Sequence, residues 1–237
     1  EFYGTHYSPK NMTLVVAGNI SPRLKQMLKF FTDKKAPAKA KSLPFYKTNY
    51  KKISWSKTPL KLEDRVVVEK RVADQAQVVL GFPSVRYNDQ ARYAQTILMT
   101  ILGSGMSSRL FVEVRERRGL AYMVHGGTAA YRDSGVAYIQ TGLDPARFKE
   151  AVQVIKAELI KISTAPVTAE ELRDAKTSIA GGMALSLENS RAQADWYAKQ
   201  TLFSDTVMSP AEVMKKLEKV TAKEVQKLAQ KIFKMDE

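Results

Sequence analysis

The spacing of apolar residues changes repeatedly along the chain, and each change marks an element. "QAQVVLGFPS" is a Val-rich run bounded by turn formers and predicts a strand. "DRVVVEKRV", just before it, predicts another, the two separated by a polar turn. "NDQARYAQTILMTILG" reads as a helix ending at Gly103, and "SSRLFVEVRERRG" as a second helix with Gly119 just past its end. "LAYMVHGGTAAYRDSGVAYIQTGL" predicts a hairpin turning near Asp133–Gly135. In "PARFKEAVQVIKAELIKIS", Phe148, Val152, Ile155, Leu159 and Ile162 step by four and three, the buried stripe of a helix.

The last third reads as helical. Three S/T-x-x-E boxes punctuate it, at Thr168/Glu171, Ser209/Glu212 and Thr221/Glu224, and Pro210 falls at the first helical position of the second. Strands followed mostly by helices, with a hairpin connection, predict an α+β domain: an antiparallel sheet with helices packed on one face. Before that unit, "NMTLVVAGNIS" predicts a strand and "SPRLKQMLKFF" a short helix with Ser21 as N-cap and Pro22 at N1. One strand and one short helix cannot enclose a core. Residues 1–33 are therefore expected to be the tail of a preceding domain, 34–61 a lysine- and proline-rich linker, and 62–237 a second domain.

Charge changes the picture less than its total suggests. The net charge of +14 points towards nucleic acid or anionic lipid. Yet residues 1–61 hold 13 basic and two acidic residues, while the rest hold 25 and 22. The excess sits in "KKAPAKAKSLPFYKTNYKKISWSKTPLK", whose composition is that of a solvated linker. Tyr46, Tyr50 and Trp55 interleave with lysines there, but no nucleic-acid-binding motif accompanies them. No nucleic acid and no membrane is expected as partner. No run of 18 apolar residues encodes a transmembrane helix, and no signal peptide opens the chain, although a fragment would have lost one. A soluble protein is expected, cytoplasmic or periplasmic if bacterial. The lack of cysteine excludes disulfides, thiolate zinc sites and a cysteine nucleophile.

The chemistry-bearing stretch is "GSGMSSRLFVEVRERRGLAY", Gly103 to Tyr122. It lacks the lysine and second glycine of a phosphate-binding loop, and it does not follow a strand as a dinucleotide fingerprint must. Its Gly/Ser start reads as a tight helix–helix connection, with Ser107 or Ser108 capping the second helix. There is no G-x-S-x-G elbow. The two histidines, His6 and His125, belong to no H-E-x-x-H or H-x-x-E-H pair, so no complete hydrolytic site and no metal site is expected in this chain. From composition alone, Arg115 is one of three arginines on a solvated helix and Tyr122 a strand aromatic.

The same stretch resembles the signature of the second domain of the pitrilysin/insulinase-type zinc peptidases, which include mitochondrial processing peptidase. "HYSPKNMTLVVAGNIS" is similar to the last strand of the family's first domain. "YRDSGVAYIQTGLDP" and "VTAEELRDAKTSIAGGMALSLENS" are similar to later parts of the second. One departure is Gly103-Ser104-Gly105, where the family often has three glycines. The resemblance implies the family's metallohydrolase fold, in which homologous α+β domains form half-shells that enclose a chamber. It implies zinc held by an inverted H-x-x-E-H helix in a first domain, in the parent or partner half and not in this chain. It also implies an opposing half-shell and a peptide substrate as partners, in a dimer-like arrangement. Arg115 and Tyr122 match the spacing of an arginine and a tyrosine with which the family binds substrate and stabilises the oxyanion; Arg117 and Arg118 have no such match. The function expected is that of a non-zinc-binding C-terminal part of a zinc metalloendopeptidase, or of its paired subunit, inactive alone. The alternative is a non-catalytic scaffold of the same fold.

Overall fold

The computed structural model describes residues 3, 7, 12–24, 26, 28–29, 63, 66–69, 74–204 and 206–234. The expected linker, 34–61, and His6 lie outside them. Two compact units divide the chain: Glu1–Lys52 with Met183–Met208, and Ile53–Gly182 with Ser209–Glu237. This division groups residues 183–208 with the N-terminal segment, whereas the sequence reading runs one domain from 62 to 237.

The larger unit is built on a three-stranded antiparallel sheet of order β1-β3-β2, with β1 at Ala76–Pro83, β2 at Ala121–Ala130 and β3 at Gly135–Leu143. β3 is central and its register buries alternate side chains, Ala137, Ile139, Thr141 and Leu143, all at 0% exposure. The Thr141 hydroxyl is satisfied there by donating to the Met123 carbonyl at 2.8 Å, so its burial leaves no unpaired group. The expected α+β architecture is the one observed.

Helix α1, Arg92–Gly103, packs against β2 and against α6, Ala222–Ile232. Helix α2, Phe148–Thr164, packs against α6 and buries Ala151, Ile155, Leu159 and Ile162 completely. The predicted stripe is thus correct from Ile155 onwards, while Phe148 at its start is exposed. Helix α3 runs from Ala169 to Leu187, and α5, Pro210–Glu218, packs on α1. All three boxes form: each Glu carboxylate accepts from the backbone N–H of its Thr or Ser, and each hydroxyl accepts from the Glu N–H.

Two glycines set how closely α1 lies on the sheet. A Cβ on Gly103 would stand 2.5 Å from the Gly126 nitrogen and 2.7 Å from its Cα. Backbone meets backbone there, so the helix end can approach β2 only without a side chain.

Two expected strands do not form ladders among the described residues. Residues 12–17 and 66–69 have no ladder partner among the described residues, and Met12, Leu14, Val16, Val66, Val67 and Val68 are exposed. Valine-rich composition favours a pleated, half-buried surface, and it makes a strand only where a neighbouring edge supplies the pairing. The short helix start is as expected: Ser21 Oγ accepts from the Arg23 N–H at 3.2 Å. In the same smaller unit, Asn189 caps α4, Ser190–Phe203. Buried Gln200 both donates to the Met208 carbonyl and accepts from its N–H, each at 2.9 Å, and so ties down the segment after α4.

Candidate substrate-contacting site

The segment between α1 and β2 carries both residues singled out by the sequence, and it is irregular at each. Residues Phe111–Glu116 form a π-helix rather than the α-helix expected, with the Arg117 N–H reaching the Val112 carbonyl five residues back. Gly119, at φ +56°, ends it in the left-handed conformation expected of the residue past a helix, and its N–H donates to the Arg115 carbonyl. Ser108 does not cap this segment. It is buried and its hydroxyl donates backwards to the Gly105 carbonyl at 2.7 Å, which tightens the connection instead.

The second irregularity is a β-bulge at Tyr122. Ala121 pairs with Leu143 and Met123 with Gly142, so Tyr122 is an extra residue with no partner on β3. The strict alternation of a strand would bury one of two successive residues. Here Tyr122 and Met123 are both exposed, between buried Ala121 and Val124. A bulge of this kind re-aims the side chain it carries.

Together the two irregularities bring Arg115 and Tyr122 into contact. The Arg115 guanidinium lies over the Tyr122 ring at 5.6 Å and over the Phe111 ring at 4.8 Å. The stacking fixes the planar fork without occupying its donors. Buried neighbours anchor both residues: Val114 and Leu120 are almost fully enclosed, while Arg115 is exposed and Tyr122 is 74% exposed.

Glu113 engages the other two arginines of the run and not Arg115. Its carboxylate pairs with Arg117 and with Arg118, which also donates to the Glu113 carbonyl. The hydrogen bond from Arg118, and then the charge of Arg117, hold the Glu113 carboxyl below its ordinary range. Among the described residues no carboxylate pairs with Arg115. Of the three arginines in this run, it alone has no carboxylate partner among the described residues.

The residue that sequence reasoning missed is Arg109. Its guanidinium makes a two-pronged bond to Glu171, Nε to Oε1 at 2.7 Å and a terminal nitrogen to Oε2 at 2.9 Å. Glu171 also belongs to the Thr168 box, so one carboxylate ties the start of the π-helical segment to the first turn of α3. The S/T-x-x-E signature reveals Glu171 as a cap; nothing in the sequence reveals its pairing 62 residues away.

This pairing has a pH consequence. Arg109 first, and then the Thr168 N–H, hold the Glu171 carboxyl below its ordinary value of 4.5, and capping contacts do the same for Glu224 and Glu212. A carboxyl whose folded value lies below its unfolded one contributes fully above about pH 4.5, and the contribution is lost as pH falls further. The urea midpoint should therefore be level from pH 7 to 5 and drop below pH 4.5. Arg109→Met should flatten that drop; an unchanged slope would remove the pair from the account.

Among the described residues the donor chemistry does not fit a zinc ion. His125 is exposed on β2 opposite Gln140, and among the described residues no three His, Asp or Glu side chains group as metal ligands. Among those residues, too, no helix is long and apolar enough to cross a membrane.

Residues 1–179 match the peptidase M16 inactive domain, and the chain belongs to that family. Over 98% of its length it is 29% identical to an uncharacterized zinc protease of Streptomyces coelicolor, of which it covers 50%. It is 28% identical over its whole length to the uncharacterized zinc protease YmxG of Bacillus subtilis, covering 54% of it. The chain thus spans about half the length of the curated relatives it matches. Among solved structures, an M16 inactive domain from Pseudomonas fluorescens superposes with a TM-score of 0.62 at 22% identity, over 68% of this chain and 38% of that one, which establishes the fold. Fold and family match together define a domain of the M16 inactive type, the class found in zinc protease-like proteins.

Proposed function

We propose that this domain helps enclose and position a peptide substrate, and that Arg115 and Tyr122 donate hydrogen bonds to its scissile carbonyl. Residues 1–33 act in this reading as the tail of a first domain and 62–237 as the second. The opposing half-shell presents substrate and a zinc ion that this chain does not ligate. One observation carries the proposal: an arginine with no carboxylate partner among the described residues, stacked on an exposed tyrosine that a bulge turns towards it.

The chemistry follows from the donors. Peptide hydrolysis builds negative charge on the carbonyl oxygen, and a guanidinium and a phenol can both donate to it as that charge grows. A chamber wall that excludes water strengthens those bonds.

Comparing two arginines four or fewer residues from Glu113 tests this in the full-length protein assembled with its opposing half. Arg115→Lys loses the planar fork and should lower peptide turnover at least about tenfold. Arg117→Lys, whose partner is Glu113, should leave turnover unchanged. Equal activity in both variants would assign the domain a scaffolding role instead.

A further inference from the structure

A second surface of the larger unit has the character of a binding groove. Helices α5 and α6 and the first turn of α1 line a depression of about 620 Å³. Four lysines stand around it: Lys216 and Lys219 from the end of α5, Lys227 and Lys231 from α6. Its floor is apolar, with Tyr93 and Leu228 buried at 7% and 6% exposure. The Lys216 ammonium lies 5.4 Å from the centre of the Tyr93 ring.

Among the described residues none of the four lysines pairs with a carboxylate. Glu224 also lines the groove, but its carboxylate is engaged by the N–H and hydroxyl of Thr221. Helix dipoles account for part of the arrangement, since Lys216, Lys219 and Lys231 lie at C-terminal ends where positive charge is favoured. They do not account for Lys227, in the body of α6, nor for two helices directing like charge to one apolar depression. Like charges held together repel, and an anionic partner relieves that repulsion.

We propose that this groove binds an acidic peptide segment, with an apolar side chain on the floor and carboxylates on the lysine rim. Spacing supports an extended peptide. Lys227 and Lys231 are one helical turn apart, roughly 6 Å along the axis, and alternate residues of an extended chain are about 6.6 Å apart. Nucleic acid fits less well, because the aromatic ring at the groove is buried and offers no face on which a base could stack.

The test is fluorescence anisotropy on the full-length protein with a labelled peptide of alternating Asp and Leu, its Asn-for-Asp counterpart, and a random single-stranded DNA. The Asp peptide should bind, weaken as salt rises, and exceed the Asn peptide about tenfold or more. The pair Lys219→Glu and Lys227→Glu should abolish binding, and Lys219→Gln with Lys227→Gln should weaken it at an unchanged melting temperature. Lys215→Glu with Lys223→Glu, outside the groove lining, should leave it intact. Equal binding of Asp and Asn peptides, tighter binding of DNA, or insensitivity to both groove pairs would overturn the proposal.

Discussion

Tyr122→Phe, in the full-length protein assembled with its opposing half, should lower peptide turnover about 100- to 1,000-fold, or about 2.7–4 kcal/mol of transition-state stabilisation. The substitution removes one hydroxyl and keeps the ring under Arg115, so the cation–π contact survives. Tyr122 is 74% exposed, and its hydroxyl makes no hydrogen bond among the described residues, so the melting temperature should stay at the wild-type value. The effect should appear in kcat, because the hydroxyl is asked to act on charge that develops only during reaction. Turnover equal to wild type would end the oxyanion role. A lowered melting temperature with normal turnover would make Tyr122 a packing residue.

Gly103→Ala should be the most destabilising single-methyl change in the larger unit's sheet–helix contact. The new Cβ would sit 2.5 Å from a backbone nitrogen on β2, and neither partner is a side chain that can rotate aside. α1 must lift from the strand. We expect a loss of about 3 kcal/mol, which corresponds to a fall in melting temperature of roughly 6–12 °C for a unit of this size. Gly105→Ala is the comparison: φ is +98° but nothing lies within 4 Å of the added methyl, so only backbone strain remains. A normal melting temperature for Gly103→Ala would show that α1 does not approach β2 so closely. The contact bears on the proposed site as well as on stability, because α1 leads into the π-helix and β2 carries Tyr122 as its second residue.

Elements whose signals are local are legible in the order of residues. The three capping boxes form from residues three apart, and Gly119 ends its helix because a left-handed residue is needed there. The hairpin, α1 and the stripe of α2 from Ile155 onwards follow from periodicity and turn chemistry alone. The pairing of Arg115 with Tyr122 entered through a motif resemblance, since seven residues of spacing do not specify that two side chains touch.

Features that depend on a distant partner arise only in the folded chain. The valine-rich run at 66–69 has the composition of a strand but pairs with nothing among the described residues, because pairing is a property of two edges. Glu171 reads as a cap, and only the fold makes it the partner of Arg109. The π-helix and the bulge leave no local signature, because each answers to packing on both sides: Val114 held in the core beneath one, Ala121 and Val124 beneath the other. Those two departures from regular geometry turn an ordinary arginine and an ordinary tyrosine towards one another.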